Sequence, residues 1–269
     1  MSRPTLNVNL NYNNIYLGDS FELCEQVEAQ TVDLILEDMP YNTTACDWDV
    51  KIDLELYWKT RLRILKPTGC VVLTATQPFT TDLISSNRTM FKQELVWDKG
   101  QGNDAVNSRN RHMKAHENIV LFSEIRNTYN PIITDKPQRA RRFKPKGMKA
   151  NYMNNINKVK FQLSDNYDYT KSYPQSVLYY SMQMAECNSA SRVHPTQKPV
   201  GLFEYLIRTY TNENDLVFDG FGGSGTTAIA ASKCNRNFIV IEKEEKYYDL
   251  AKKRLKNELA QFKLFEGLK

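Results

Sequence analysis

Apolar and polar positions alternate in blocks that switch between a period near two and a period near 3.6 residues. Asn14-Ile-Tyr-Leu17 is a short apolar segment ended by Gly18-Asp19-Ser20, which predicts a strand and then a helix from Ser20 to Ala29. Thr31 to Leu36 is β-branched and almost continuously apolar, as a strand covered on both faces must be. It runs straight into Glu37-Asp38-Met39-Pro40-Tyr41, so acidic and aromatic groups stand at its carboxyl end. Leu54, Tyr57, Trp58, Leu62 and Leu65 recur at helical spacing, and Lys66-Pro-Thr-Gly69 ends that helix. A strand at Cys70 to Leu73 and a helix near Phe79 to Ser85 follow. Glu94 to Trp97 and Asn118 to Phe122 then read as two strands, candidates for antiparallel neighbours.

From about Ser123 to Ser191 the periodicity fails, and Asn, Tyr, Lys and Arg predominate with isolated prolines. The alternation returns with a helix from Pro199 to Tyr210, a strand at Leu216-Val-Phe218, a helix from Thr226 to Cys234, a strand from Asn237 to Ile241 and a last amphipathic helix from Lys246 to Phe262. These elements predict an α/β fold: a largely parallel sheet with helices on both faces, interrupted by an insertion. The expected division is 1–122 and 192–269 as two halves of one domain, with 123–191 inserted between them.

Composition adds little to this picture, because 41% hydrophobic and 25% charged residues are ordinary for a globular chain of 269 residues. Met1 to Asn14 is polar and lacks the apolar stretch of a signal peptide, and no run approaches a membrane span, so a cytoplasmic protein is expected. The cysteines Cys24, Cys46, Cys70, Cys187 and Cys234 are odd in number and form no CxxC pair, which suits free thiols in a reducing compartment. The net charge of +5 is mild, but its distribution is not. Between Lys136 and Lys149 seven basic residues occur with no acid, a local electrostatic footprint for a polyanion or else a solvated charged loop.

The strand Leu216-Val-Phe218 leads into Asp219-Gly220-Phe221-Gly222-Gly223-Ser224-Gly225-Thr226-Thr227 and then a small-residue helix. Glycines admit a close approach of ligand to backbone, and the helix that follows presents free N–H groups. Glu242, at the end of the next strand, stands where an acid can hold ribose hydroxyls; taken alone it would be a helix N-terminal acid. No lysine follows the glycines, which argues against a phosphate-binding P-loop, while a dinucleotide site stays open from the loop alone. His112 and His116 share i, i+4 spacing but have no HExxH context or third ligand, so no metal is expected.

Asp38-Met39-Pro40-Tyr41 resembles the Asp-Pro-Pro-Tyr motif of DNA amino-methyltransferases, with Met39 in place of the first proline. Taken alone, a strand-end turn with a capping Asp would explain four such residues. The resemblance extends over most of the chain: the motif comes early, the insertion follows, and the glycine loop comes late, as in the beta arrangement of that family. His194-Pro-Thr-Gln-Lys-Pro199, Trp97-Asp-Lys99 and His116-Glu117 are further matches. Where the family often has Asp-Asn or Asp-Pro before the glycines, this chain has Asp219-Gly220-Phe221.

The resemblance implies a Rossmann-like S-adenosylmethionine-dependent methyltransferase sheet. Asp38 and the Met39 carbonyl would hold the hydrogens of an exocyclic amine, Pro40 would shape the turn, and Tyr41 would stack on a base flipped from the duplex. Asp19, His194, Thr196, Gln197, Lys198, Phe218, Asp219, Gly220, Gly222, Ser224, Gly225, Thr226, Thr227 and Glu242 would hold S-adenosylmethionine; from the residues alone, Asp19 is a helix N-cap. The insertion would be the target-recognition region, with Arg139, Arg141, Arg142, Lys144 and Lys146 on phosphates of double-stranded DNA. Asp in the motif favours adenine N6. Cytosine N4, an RNA or protein-amide substrate, and an inactive DNA-binding relative stay open, as do a homodimer and a cognate restriction endonuclease as partners.

Overall fold

The computed structural model describes residues 10–41, 52–103, 105–136, 152–153, 160–161, 168, 170–182 and 197–266. In chain order they form β1 (Asn14–Leu17), α1 (Ser20–Cys24), β2 (Val32–Glu37), α2 (Leu54–Ile64), β3 (Leu65–Ala75), α3 (Phe79–Ser86), β4 (Phe91–Asn103), β5 (Lys114–Phe122), β6 (Thr134–Asp135), β7 (Tyr152–Met153), β8 (Lys160–Phe161), β9 (Lys171–Ser172), β10 (Val177–Tyr179), α4 (Val200–Tyr210), β11 (Leu216–Asp219), α5 (Thr226–Lys233), β12 (Asn237–Glu242) and α6 (Glu245–Glu266). Two compact units result. One comprises Met1–Asn130 with Ser176–Lys269, the other Pro131–Gln175.

The first unit is built on an eight-stranded sheet in the order β1-β12-β11-β2-β3-β5-β4-β10. Only β5 runs against the rest of this sheet, antiparallel to both β3 and β4. The expected antiparallel pair is therefore present, and both strands are longer than their most apolar stretches. Alternate side chains of each central strand feed two cores. Leu34, Leu36 and Val72 pack with α4, α5 and α6 through Leu202, Leu206, Ile229 and Leu255. Ile35, Val71 and Leu73 pack on the other face with Tyr57, Trp58, Ile64 and Leu83 of α2 and α3. A largely parallel sheet covered by helices on both faces is the architecture predicted from the apolar pattern, and its Rossmann-like form is the one the resemblance implied.

Several boundaries differ from expectation. Helix α1 ends at Cys24, five residues before Ala29. Helix α2 ends at Ile64, and β3 begins immediately at Leu65, so Lys66–Gly69 lies within a strand whose register against β2 shifts between Val32 and Leu34. The buried face of α2 is Tyr57, Trp58, Thr60, Arg61 and Ile64, with a guanidinium where the spacing had suggested Leu62. Val177–Tyr179, inside the stretch without periodicity, is a parallel strand of the main sheet beside β4. In the second unit, β6 pairs antiparallel with β9 and β7 with β8. No described helix is long and apolar enough to cross a membrane. Cys24, Cys70 and Cys234 are free and buried.

Candidate active site

Parallel strands end on one side of a sheet, and in open α/β folds the crevice outside those carboxyl ends is where ligands bind. Here the segments after β1, β2, β11 and β12 surround a cavity of about 220 Å3. Its walls include Asp19 to Phe21, Asp38 and Pro40, Gln197 and Lys198, the loop from Asp219 to Ser224 with Thr226 and Thr227, and Glu242 to Glu244.

The glycine loop is fixed from below. Glu37, the last residue of β2, is wholly buried; its Oε1 accepts from Gly220 N and from Arg61 Nε, both at 2.9 Å, and its Oε2 accepts from Tyr57 Oη at 2.6 Å. Arg61 is equally buried, donates to Ser20 Oγ, and lies 5.1–5.6 Å from the ring centroids of Phe21, Tyr57, Phe218 and Phe221. Position 220 must be glycine, because a Cβ there would sit 2.2 Å from Ser20 Oγ and 2.3 Å from an Arg61 nitrogen. Gly225, at φ 77°, forms the left-handed N-cap of α5.

Acids line much of the wall. Asp219 accepts from Phe221 N at 2.9 Å and from Thr227 Oγ1; burial and then the Glu37 carboxylate push its carboxyl up to about 8. It has no ion pair among the described residues. Glu242 accepts from Gly223 N at 2.6 Å and Glu244 N at 2.8 Å, and burial raises its pKa. Asp19 caps α1 through Phe21 N at 2.9 Å and also lines the cavity, with Lys243 Nζ 3.5 Å away.

Asp38 stands at the rim with every oxygen engaged. Tyr41 Oη, at 2.5 Å, and Thr74 Oγ1 donate to Oδ1, and Lys198 Nζ donates to Oδ2 at 2.5 Å. Tyr41 also donates to the Thr74 carbonyl at 2.8 Å, and its ring lies 5.2 Å from that of Phe79. Burial and then Asp38 hold its phenol well above the ordinary range, so it remains a donor. Behind Lys198 lies Glu117 on β5, its Oε2 3.5 Å from Lys198 Nζ and its Oε1 bound by Lys99 of β4.

Most of the sequence-predicted residues thus converge, but not all in the predicted way. Lys198, expected on the cofactor, lines the cavity, and its ammonium also donates to Asp38. Phe218 and Gly225 do not line the cavity: the first is core beneath the loop, the second turns the chain into α5. Met39 is buried, and Tyr41 is folded against Asp38 and Phe79. His194, Thr196, Arg139, Arg141, Arg142, Lys144 and Lys146 lie outside the described residues. Arg61 and Thr74 had no assigned role, Tyr57 entered only as part of the apolar stripe of α2, and Lys99 and Glu117 only as matches to the family pattern.

The profile of the DNA methylase family matches residues 32–253. The chain is 29% identical over 262 residues to the type II methyltransferase M1.MboII of Moraxella bovis, covering 90% of this chain and 96% of that one. It is 26% identical over 260 residues to M.HpaI of Haemophilus parainfluenzae, covering 91% and 74%. Among solved structures, an M1.HpyAVI–SAM complex superposes with a TM-score of 0.61 at 25% identity, over 90% of this chain and 98% of the other. The cytosine-N4-specific PvuII DNA methyltransferase has the same fold, with a TM-score of 0.61 at 17% identity over 94% and 93%. A match that runs from β2 through the glycine loop into α6, and so takes in all of the cavity's walls except Asp19 to Phe21, shows that the chain belongs to the DNA methylase family.

Proposed function

We propose that this protein transfers a methyl group from S-adenosylmethionine to the exocyclic N6 of adenine in double-stranded DNA. The observation that carries the reading is the position of Asp38, at the rim of the glycine-loop cavity and on the carboxyl end of β2.

The cavity suits the cofactor. Asp219 is a buried acid with no ion pair among the described residues, and a ligand ammonium would supply the missing charge. Asp219, the loop backbone from Gly220 to Ser224, and Glu242 are the residues that would hold the cofactor, with Asp19 at the cavity edge. When bound, it supplies an electrophilic methyl on a sulfonium. Everything else falls to the chain. An amine conjugated to a purine is a weak nucleophile, because its lone pair is drawn into the ring. Asp38 Oδ2 and the Met39 carbonyl would accept its two N–H groups and aim the lone pair at the methyl. As the amine took up the methyl, the nitrogen would shed one proton through its hydrogen bond to Asp38. Tyr41 and Thr74 fix Asp38 Oδ1, so the substrate amine would take Oδ2, to which Lys198 Nζ donates in the structure.

The early acidic motif and late glycine loop support the beta arrangement, with 123–191 as the target-recognition region and its basic run from Arg139 to Lys146 on DNA phosphates. A homodimer and a cognate endonuclease belong to the same reading. The test is transfer of labelled methyl to unmethylated genomic DNA, followed by nucleoside mass spectrometry. N6-methyladenine is expected; N4-methylcytosine would overturn the base assignment, and labelling of RNA alone would overturn the substrate.

A further inference from the structure

If Asp38 receives the target amine, its free oxygen should be open, yet Lys198 Nζ sits on Oδ2 at 2.5 Å. The ammonium donates from about where the amine's N–H must donate. One contact away is a second carboxylate poised to receive it. Glu117 Oε2 is buried and has no hydrogen-bond partner among the described residues, 3.5 Å from Lys198 Nζ, while Oε1 is pinned by Lys99. Buried acceptors are rarely left unpaired, and this one lies within reach of the Lys198 donor. A lysine has the rotamer freedom to move between two such seats.

We infer that Lys198 is a placeholder for the substrate: in the DNA-free enzyme its ammonium occupies the amine-binding oxygen of Asp38, and it moves to Glu117 when the target amine arrives. Lys198 is a positioning residue in this scheme, and Glu117 its receiving seat. The exchange balances. One Nζ–H bond leaves Asp38 and forms on Glu117, the substrate N–H takes Asp38 Oδ2, and no buried charge loses its partner. Burial alone would push the Lys198 ammonium down, but Asp38 and then Glu117 raise it, so the lysine is charged where it stands between the two carboxylates. The backbone adds a link to the cofactor side, since the Lys198 carbonyl accepts from Thr226 Oγ1 of the glycine loop at 3.4 Å.

The inference rests on Asp38 as the amine acceptor, and a double-mutant cycle separates the two ideas. Lys198→Met, Glu117→Gln and the double variant are assayed for single-turnover methyl transfer to genomic DNA, with cofactor affinity measured by calorimetry. Glu117→Gln should slow transfer about tenfold or more with cofactor affinity within about twofold, because the placeholder has nowhere to go. Adding Lys198→Met should restore the rate to that of Lys198→Met alone. Penalties that simply multiply in the double variant, or full activity in Glu117→Gln, overturn the placeholder. Full activity in Asp38→Ala would instead overturn the reading beneath it. Should a variant fail to fold, the wild-type complex with a cofactor analogue and a duplex bearing the methylated site decides. Lys198 Nζ is expected on Glu117; Lys198 still on Asp38 with the target amine bound elsewhere refutes the scheme.

Discussion

Arg61→Met is expected to destabilise the protein severely, because it strands a carboxylate at the centre of the fold. Glu37 and Arg61 have no solvent exposure, and their 2.9 Å ion pair is completed by Tyr57, Ser20 and the Gly220 amide. Removing one partner of a buried pair costs about 3–5 kcal/mol, chiefly because the other charge is left uncompensated. Against a total of about 5–15 kcal/mol, that is a large fraction. For a domain of this size it corresponds to a fall in Tm of roughly 6–20 °C. Glu37→Gln in the same background removes the stranded charge while keeping an oxygen for Gly220 N, so the double variant should recover part of the loss. Thermal unfolding followed by circular dichroism, without cofactor, measures all three proteins. A Tm for Arg61→Met within about 2 °C of wild type, or a double variant no better than the single, would refute the reasoning.

The other expectations concern the site itself. Asp38→Ala should lower the transfer rate by at least about 10²–10³ while leaving cofactor affinity near wild type, checked by filter assay and calorimetry. Asp219 is raised when folded, so between its ordinary 3.8 and about 8 the native state holds a proton that the unfolded chain has released, and cofactor-free stability falls as pH rises through that window. Asp219→Asn should therefore raise the cofactor-free Tm, more at pH 8 than at pH 5, while weakening cofactor binding; a pH-independent difference would count against the assignment. Gly220→Ala should abolish cofactor binding or soluble expression, since its Cβ would overlap Ser20 and Arg61. Gly201→Ala, in the first turn of α4 with nothing nearer than 3.6 Å, should be neutral or stabilise by up to about 1 kcal/mol in urea titration.

What could be read from the sequence was local. The glycine loop, the acid at the end of β2 and the helical stripe of α4 each carry their signal within a dozen residues. Arg61 does not: apolar spacing in α2 pointed to Leu62, and the partner that makes a buried arginine tolerable, Glu37, is 24 residues away. Lys198 was placed at the right cavity, but its ammonium's pairing with Asp38 had no local signal, because it spans 160 residues. Three residues of β10 amid an aperiodic stretch gave no pattern to detect; they are a strand because β4 offers them an edge. Lys66-Pro-Thr-Gly69 reads as a helix stop, and it is one, but tertiary pairing then draws the same residues into β3.

Strand β11 pairs on one side with β12 and on the other with β2, and it meets β2 through Val217 with Leu34 and Phe218 with Ile35. Since 183 residues separate Glu37 from the Gly220 that it anchors, β2 leaves the ribosome long before its neighbour exists. At about 5–20 residues per second, the gap lasts roughly 10–40 s. For that interval the nascent chain carries a bare, apolar strand edge of the sort that recruits other chains. Biosynthesis, more than the stability of the finished molecule, is then where this protein is most vulnerable, and slow translation through the insertion should cost soluble yield unless a chaperone covers β2.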